Sequence, residues 1–172
     1  GKGLGMDVDI FNENGKSIKN KKGELVCKKP FPSMPLKFWN DKNDKKFKEA
    51  YFSKYKNIWY HGDYAELKKS GGFVIYGRSD TTLNPGGVRL GTAEIYSEVE
   101  KFKEINESIV VGQSWDNDIR IILFIVLNKE FRLNINLIER VKKAIKENAS
   151  PRHVPAKIIS VTDIPRTKNG KI

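Results

Sequence analysis

The chain has 172 residues, 38% hydrophobic and 31% charged, which suits one ordinary domain or two small ones under a heavily charged surface. Its net charge of +11 is spread over both halves, and no basic stripe interleaved with aromatics marks a nucleic-acid groove, so no polynucleotide partner is expected. No segment nears the roughly 20 apolar residues a membrane span needs, no leader pattern precedes the first strand, and the lone Cys27 cannot form an internal disulfide; a cytoplasmic protein is expected.

In chain order, "MDVDIFNENGKSI" alternates and then breaks at Asn14-Gly15, a hairpin signal. "GELVCK" reads as a strand, and the three prolines of "PFPSMP" enforce an extended segment. "DKNDKKFKEAYFSKY" places Phe47, Tyr51 and Tyr55 on one helical face. "IWYHGDYAELKKSGGFVIYGR" reads as two strands joined at Ser70-Gly71-Gly72. The first eighty residues therefore form a small antiparallel β unit with one inserted helix.

Beyond Asp80 the pattern alternates between helix and strand. Thr92 is positioned to cap a helix that carries Ile95, Val99 and Phe102. "SIVVGQS" and "IRIILFIVL" follow as strands, with "WDND" as their turn. Asn136 and Glu139 resemble a capping box opening a helix with Leu137, Val141, Ala144 and Ile145 on its buried side. "AKIISV" is the last strand and "TDIPRTKNGKI" a polar loop. The chain starts Gly-Lys-Gly and stops at "GKI", so both ends read as cut.

Between Tyr76 and Tyr96 the chain gathers four glycines and a proline where a strand gives way to a helix. The glycines lack the GK[ST] ending of a P-loop and the dinucleotide spacing. Alone they fit a turn needing positive φ, or a bare backbone surface along which a slender ligand runs. The two histidines, His61 and His153, have no Cys or carboxylate partners at ligand spacing, so no protein-bound metal is expected.

Four stretches taken together carry more: Gly23-Glu24-Leu25, "WYHGDYAEL", "YGRSD" with its glycine loop, and "PRTKNGKI". In this order they resemble the motifs of the adenylate-forming superfamily of acyl-CoA synthetases. The connecting text "KPFPSMPLKFWND" and "AYFSKYKNIWYHGDYAE" looks most like the acetoacetyl-CoA synthetases within it.

The resemblance implies an α+β fold: a small antiparallel β-barrel-like subdomain, residues 1–79, closing a large AMP-binding domain, then a compact α/β C-terminal domain, residues 80–172, that moves. It implies a ligase joining acetoacetate, ATP and coenzyme A, with magnesium carried on the ATP phosphates and coenzyme A as co-substrate. An acetate- or propionate-type synthetase and a non-catalytic basic module are the alternatives. It assigns the ATP ribose to Asp63 and Arg78, the hinge to Asp80, the coenzyme A arm and a phosphate to Gly86, Gly87 and Arg89, and adenylation catalysis to Lys171. The phosphate-gripping loop and acyl pocket of such enzymes lie upstream of these motifs. The remainder of the large domain is thus an expected partner, and this chain alone is expected to be inactive.

Overall fold

The stretch "WYHGDYAEL" forms β3 (Trp59–Leu67), an inner strand of the first half of the molecule whose last four residues are all buried. A computed structural model describes all residues, 1–172. The chain divides into two compact units, Gly1–Asp80 and Thr81–Ile172.

In the first unit β1 (Val8–Phe11), β2 (Lys22–Cys27), β3 and β4 (Phe73–Arg78) form an antiparallel sheet in that order. The order leaves two edges, so the sheet is open, and the barrel-like closure expected from the resemblance is absent. Asn14-Gly15 does turn the chain, with the Gly15 amide on the Asn12 carbonyl, but the return runs only to a bridge at Ser17 before β2 begins.

Helix α1 (Lys45–Phe52) is shorter than the Phe47-Tyr51-Tyr55 spacing predicts. Its first turn is capped from upstream, because the Asp41 carboxylate accepts from the Lys46 and Phe47 amides. Phe47 and Tyr51 join Trp59 in an aromatic cluster, Tyr51 stacked on Trp59 at 3.7 Å. Tyr55 lies beyond the helix and packs instead on Phe11, its hydroxyl donating to the Asn12 carbonyl. The aromatic spacing was real, but it served two clusters.

The second unit is built on a long hairpin, β5 (Ile105–Trp115) and β6 (Asp118–Leu127), closed by Asp116 and Asn117, both at positive φ. Helix α2 (Ala93–Val99) precedes the hairpin; helix α3 (Ile135–Asn148) follows it and leads to β7 (Lys157–Ser160), which pairs parallel to β6. A parallel neighbour demands a crossover, and α3 supplies it. Ile95, Val99, Leu123, Ile125, Val141 and Ile145 are all at 0% exposure in the resulting core. Each such side chain stabilises the unit by about 1.5–3 kcal/mol relative to leaving it in water.

Two helix starts differ from the sequence reading. Thr92 does stand at the head of α2, but its side chain makes no capping bond; its carbonyl receives the Ile95 and Tyr96 amides. The cap of α3 is Asn134, whose Oδ1 accepts from the Leu137 amide at 2.9 Å, and not Asn136. Capping from Asn134 places Leu137 three residues on, where it is buried in the core.

Two buried carboxylates tie the helices down. Glu98 on α2 binds Lys101 at 2.6 Å and the Asn148 side chain at 2.9 Å. Glu104 binds Arg140 of α3 at 2.8 Å. The Lys101 ammonium holds Glu98 below its ordinary 4.5, and the Arg140 guanidinium does the same for Glu104. Folded-state values below the unfolded one mean stabilisation that is complete above about pH 4.5 and lost as pH falls through the folded values. The midpoint of thermal unfolding should therefore be flat from pH 7 to 5 and fall below pH 4.5, and Glu98→Gln should flatten that acid limb; circular dichroism melts at stepped pH check this. No helix is long and apolar enough to cross a membrane.

Candidate functional site

Asp63 and Arg78 lie directly opposite each other on β3 and β4. Their pairing is local: Arg78 Nη1 reaches Asp63 Oδ1 at 3.5 Å and donates to the His61 carbonyl at 3.2 Å, while Arg78 Nε faces Asp80 Oδ1 at 3.5 Å. His61 Nε2 approaches the second Asp63 oxygen at 3.3 Å. A half-buried carboxylate flanked by a guanidinium and an imidazole still has lone pairs to offer incoming hydroxyl donors.

Gly62 makes this arrangement possible. It sits at φ +83°, and a Cβ there would stand 2.7 Å from Arg78 Nη2, so only glycine lets the guanidinium lie over the backbone. The sequence reading passed over Gly62 and His61; the "HGD" motif was the available signal, a glycine between two polar groups within a strand. It also passed over the role of Glu24. This carboxylate is 1% exposed on β2, with Lys54 Nζ at 2.5 Å and the Ser79 hydroxyl donating to its other oxygen. An acid inside the apolar "ELV" run was the clue.

In the second unit the glycine loop is a short turn across Pro85–Gly87, flanked by an antiparallel bridge between Leu83 and Leu90. Gly86 and Gly87 are exposed, at φ +59° and +72°. The Gly86 amide donates to both oxygens of Asp118, at 2.9 and 3.0 Å, which moors the loop to the β5–β6 hairpin. Arg89 Nε donates to the Thr82 hydroxyl at 3.0 Å. Asn84, Gly87 and the hairpin tip Ser114–Ile119 line an open cavity of about 560 Å³.

Lys171 is exposed, and its ammonium makes no ion pair. The polar loop carrying it folds into a hydrogen-bonded turn: the Thr167 amide donates to the Lys171 carbonyl at 2.8 Å, the Lys171 amide to the Thr167 hydroxyl at 3.2 Å, and the Gly170 amide to the Thr167 carbonyl at 2.9 Å. Arg166 anchors the turn, binding Glu107 on β5 and the Gly170 carbonyl. The hydrogen bonds of this turn and those of the glycine loop share no residue. The structure thus brings Asp63, Arg78 and Asp80 together in one unit, and places Gly86 and Gly87 in one short turn of the other. No three His, Cys, Asp or Glu side chains converge to hold a metal ion.

Residues 94–171 match the AMP-binding enzyme C-terminal domain family. The acetoacetyl-coenzyme A synthetase of Rhizobium meliloti (strain 1021) is 55% identical over all 172 residues, which make up 26% of that protein. The Xenopus tropicalis acetoacetyl-CoA synthetase is 48% identical over 98% of this chain and 25% of its own length. Residues 94–171 belong to that C-terminal domain family. Among solved structures, the acetoacetyl-CoA synthetase of Streptomyces lividans superposes with a TM-score of 0.91 at 43% identity, over 98% of this chain and 25% of that one. The match runs through both units. The chain spans about a quarter of the length of the synthetases it matches.

Proposed function

We propose that this chain is the C-terminal portion of an acid–thiol ligase that joins acetoacetate to coenzyme A and converts ATP to AMP and diphosphate. In this reading Gly1–Asp80 closes the large AMP-binding domain, and Thr81–Ile172 is the small domain that turns about Asp80 between two half-reactions. The 45–55% identity to acetoacetyl-CoA synthetases along essentially the whole chain carries the proposal.

The first step attaches an acetoacetate carboxylate oxygen to the α-phosphorus of magnesium-bound ATP and breaks the bond to the β-phosphate, releasing diphosphate. Asp63 would accept hydrogen bonds from both ribose hydroxyls, a bidentate match, and Arg78 would add a planar donor set beside it. Lys171 would place its ammonium between carboxylate and α-phosphate, where negative charge builds in the transition state. In the second step the thiol sulfur bonds to the acyl carbon, loses its proton to solvent, and displaces AMP. Gly86 and Gly87 would leave room for the thiol arm, and Arg89 would meet a phosphate. The protein would work in the cytoplasm.

The test is pyrophosphate exchange into ATP by the longer enzyme carrying this sequence, with acetoacetate, acetate and propionate compared. Acetoacetate is expected to support the fastest exchange, and the 172-residue chain alone to form no AMP. Faster exchange with acetate or propionate would reassign the acid. No exchange, together with salt-dependent oligonucleotide binding, would overturn the ligase reading.

A further inference from the structure

The last residues of the first unit are held one by one. Arg78 is fixed by Asp63 and the His61 carbonyl, and Asp80 faces Arg78 in turn. Between them, Ser79 is bound inward: its hydroxyl donates to Glu24 Oε2, while Lys54 occupies Glu24 Oε1. Glu24 is 1% exposed, and the pairing of both its oxygens offsets the cost of burying a carboxylate. Its partners come from far along the chain, 30 and 55 residues away. The carboxylate therefore joins β2, the segment after α1 and the end of β4 at one point.

That point lies one residue before Asp80, where the first unit ends. We propose that Glu24 is a positioning residue that ties off the chain at Ser79, so that any rotation of the second unit is taken up from Asp80 onward and leaves Arg78 and Asp63 undisturbed. The proposal rests on the two-step reading above for its purpose, but the tie itself is testable without any ligase chemistry. A turning domain needs a fixed point on one side of its hinge. Without the tie, the torsional change would spread back along β4 into the strand pair that holds Asp63 opposite Arg78.

The Arg78–Ser79 peptide bond is itself a trypsin site, so the enzyme reports directly on whether this point opens. Ser79→Ala removes the donor and leaves Glu24 paired with Lys54. Loss of a hydrogen bond to a charged acceptor should raise cleavage after Arg78 by about tenfold or more. Ser79→Thr, which keeps the hydroxyl, should restore protection, and cleavage at other lysines and arginines should stay as in the parent chain. Glu24→Gln should resemble Ser79→Ala; if it does not fold, the serine pair decides the matter.

An unchanged rate after Arg78 in Ser79→Ala, a uniform rise at every site, or failure of threonine to protect would overturn the tie. In the longer enzyme, Ser79→Ala should lower kcat about tenfold, with the KM for ATP rising alongside it as Asp63 and Arg78 lose their fixed geometry. A raised KM at constant kcat would make Ser79 a nucleotide contact and overturn the positioning role. Loss of the acetoacetate reaction in every version, with the proteolysis pattern intact, would refute the ligase assignment and leave the tie standing.

Discussion

Replacing Lys171 with alanine in the longer enzyme is expected to slow acetoacetate-dependent pyrophosphate exchange by about 100- to 1,000-fold, the usual loss when one preorganised donor to a developing charge is removed. The side chain is exposed and forms no ion pair, so its removal should not disturb folding. The turn that carries it is held by backbone bonds, by Thr167 and by Arg166, none of which involves the ammonium. The deficit should therefore be confined to the step that makes the adenylate. When acetoacetyl-adenylate is supplied directly, thioester formation by the variant should stay within about threefold of the parent rate. Parent-level exchange in Lys171→Ala would remove the lysine from the mechanism. An equal loss in both half-reactions would make it a binding residue and not an adenylation catalyst.

The second large effect is expected at Asp63. Hydrogen bonds to a charged acceptor contribute about 1.5–3 kcal/mol each, so removing a carboxylate that holds two ribose hydroxyls should raise the KM for ATP by at least about 100-fold. Asp63→Ala is a clean variant on the fold side, because Arg78 keeps its bond to the His61 carbonyl and its approach to Asp80. The decisive measurement compares ATP with its 2′,3′-dideoxy analogue. The parent enzyme should discriminate strongly between them, and the variant hardly at all. A variant that retained the full preference would show that the ribose is held elsewhere.

Much of the architecture was readable because its signals are local. The two strands read on either side of Ser70-Gly71-Gly72 and the apolar run "IRIILFIVL" each map onto strands, and Asp116-Asn117 closes the hairpin that "WDND" announces. What escaped depends on contacts distant in sequence. Two asparagines compete to cap α3, and Asn134 wins because that start delivers Leu137 to a core made by β5 and β6. Tyr55 keeps helical spacing with Phe47, yet its ring is claimed by Phe11, 44 positions earlier. The open sheet of the first unit could not be read from strand patterns, which specify faces and not closure. Asp63, Arg78 and Lys171 were found through motif resemblance. Glu24 and Gly62 were visible as letters, but their parts emerged only from burial and from the space a Cβ would fill. The order within "PRTKNGKI" likewise required coordinates, since a polar run rich in Thr, Asn and Gly reads as slack chain.

In the proposed reaction, the anchoring of that run by Arg166 to Glu107 would bear on how often a cycle succeeds. A cation on a limp tail would have to search a volume of solvent afresh at every turnover, and most excursions would miss. Riding on a clasped turn, it shares the orientation of the β5 strand, so the search is reduced to the swing of one aliphatic stem. Adding or deleting a single residue between Arg166 and Lys171 would then misaim the charge as thoroughly as deleting it, even though every chemical group remained present.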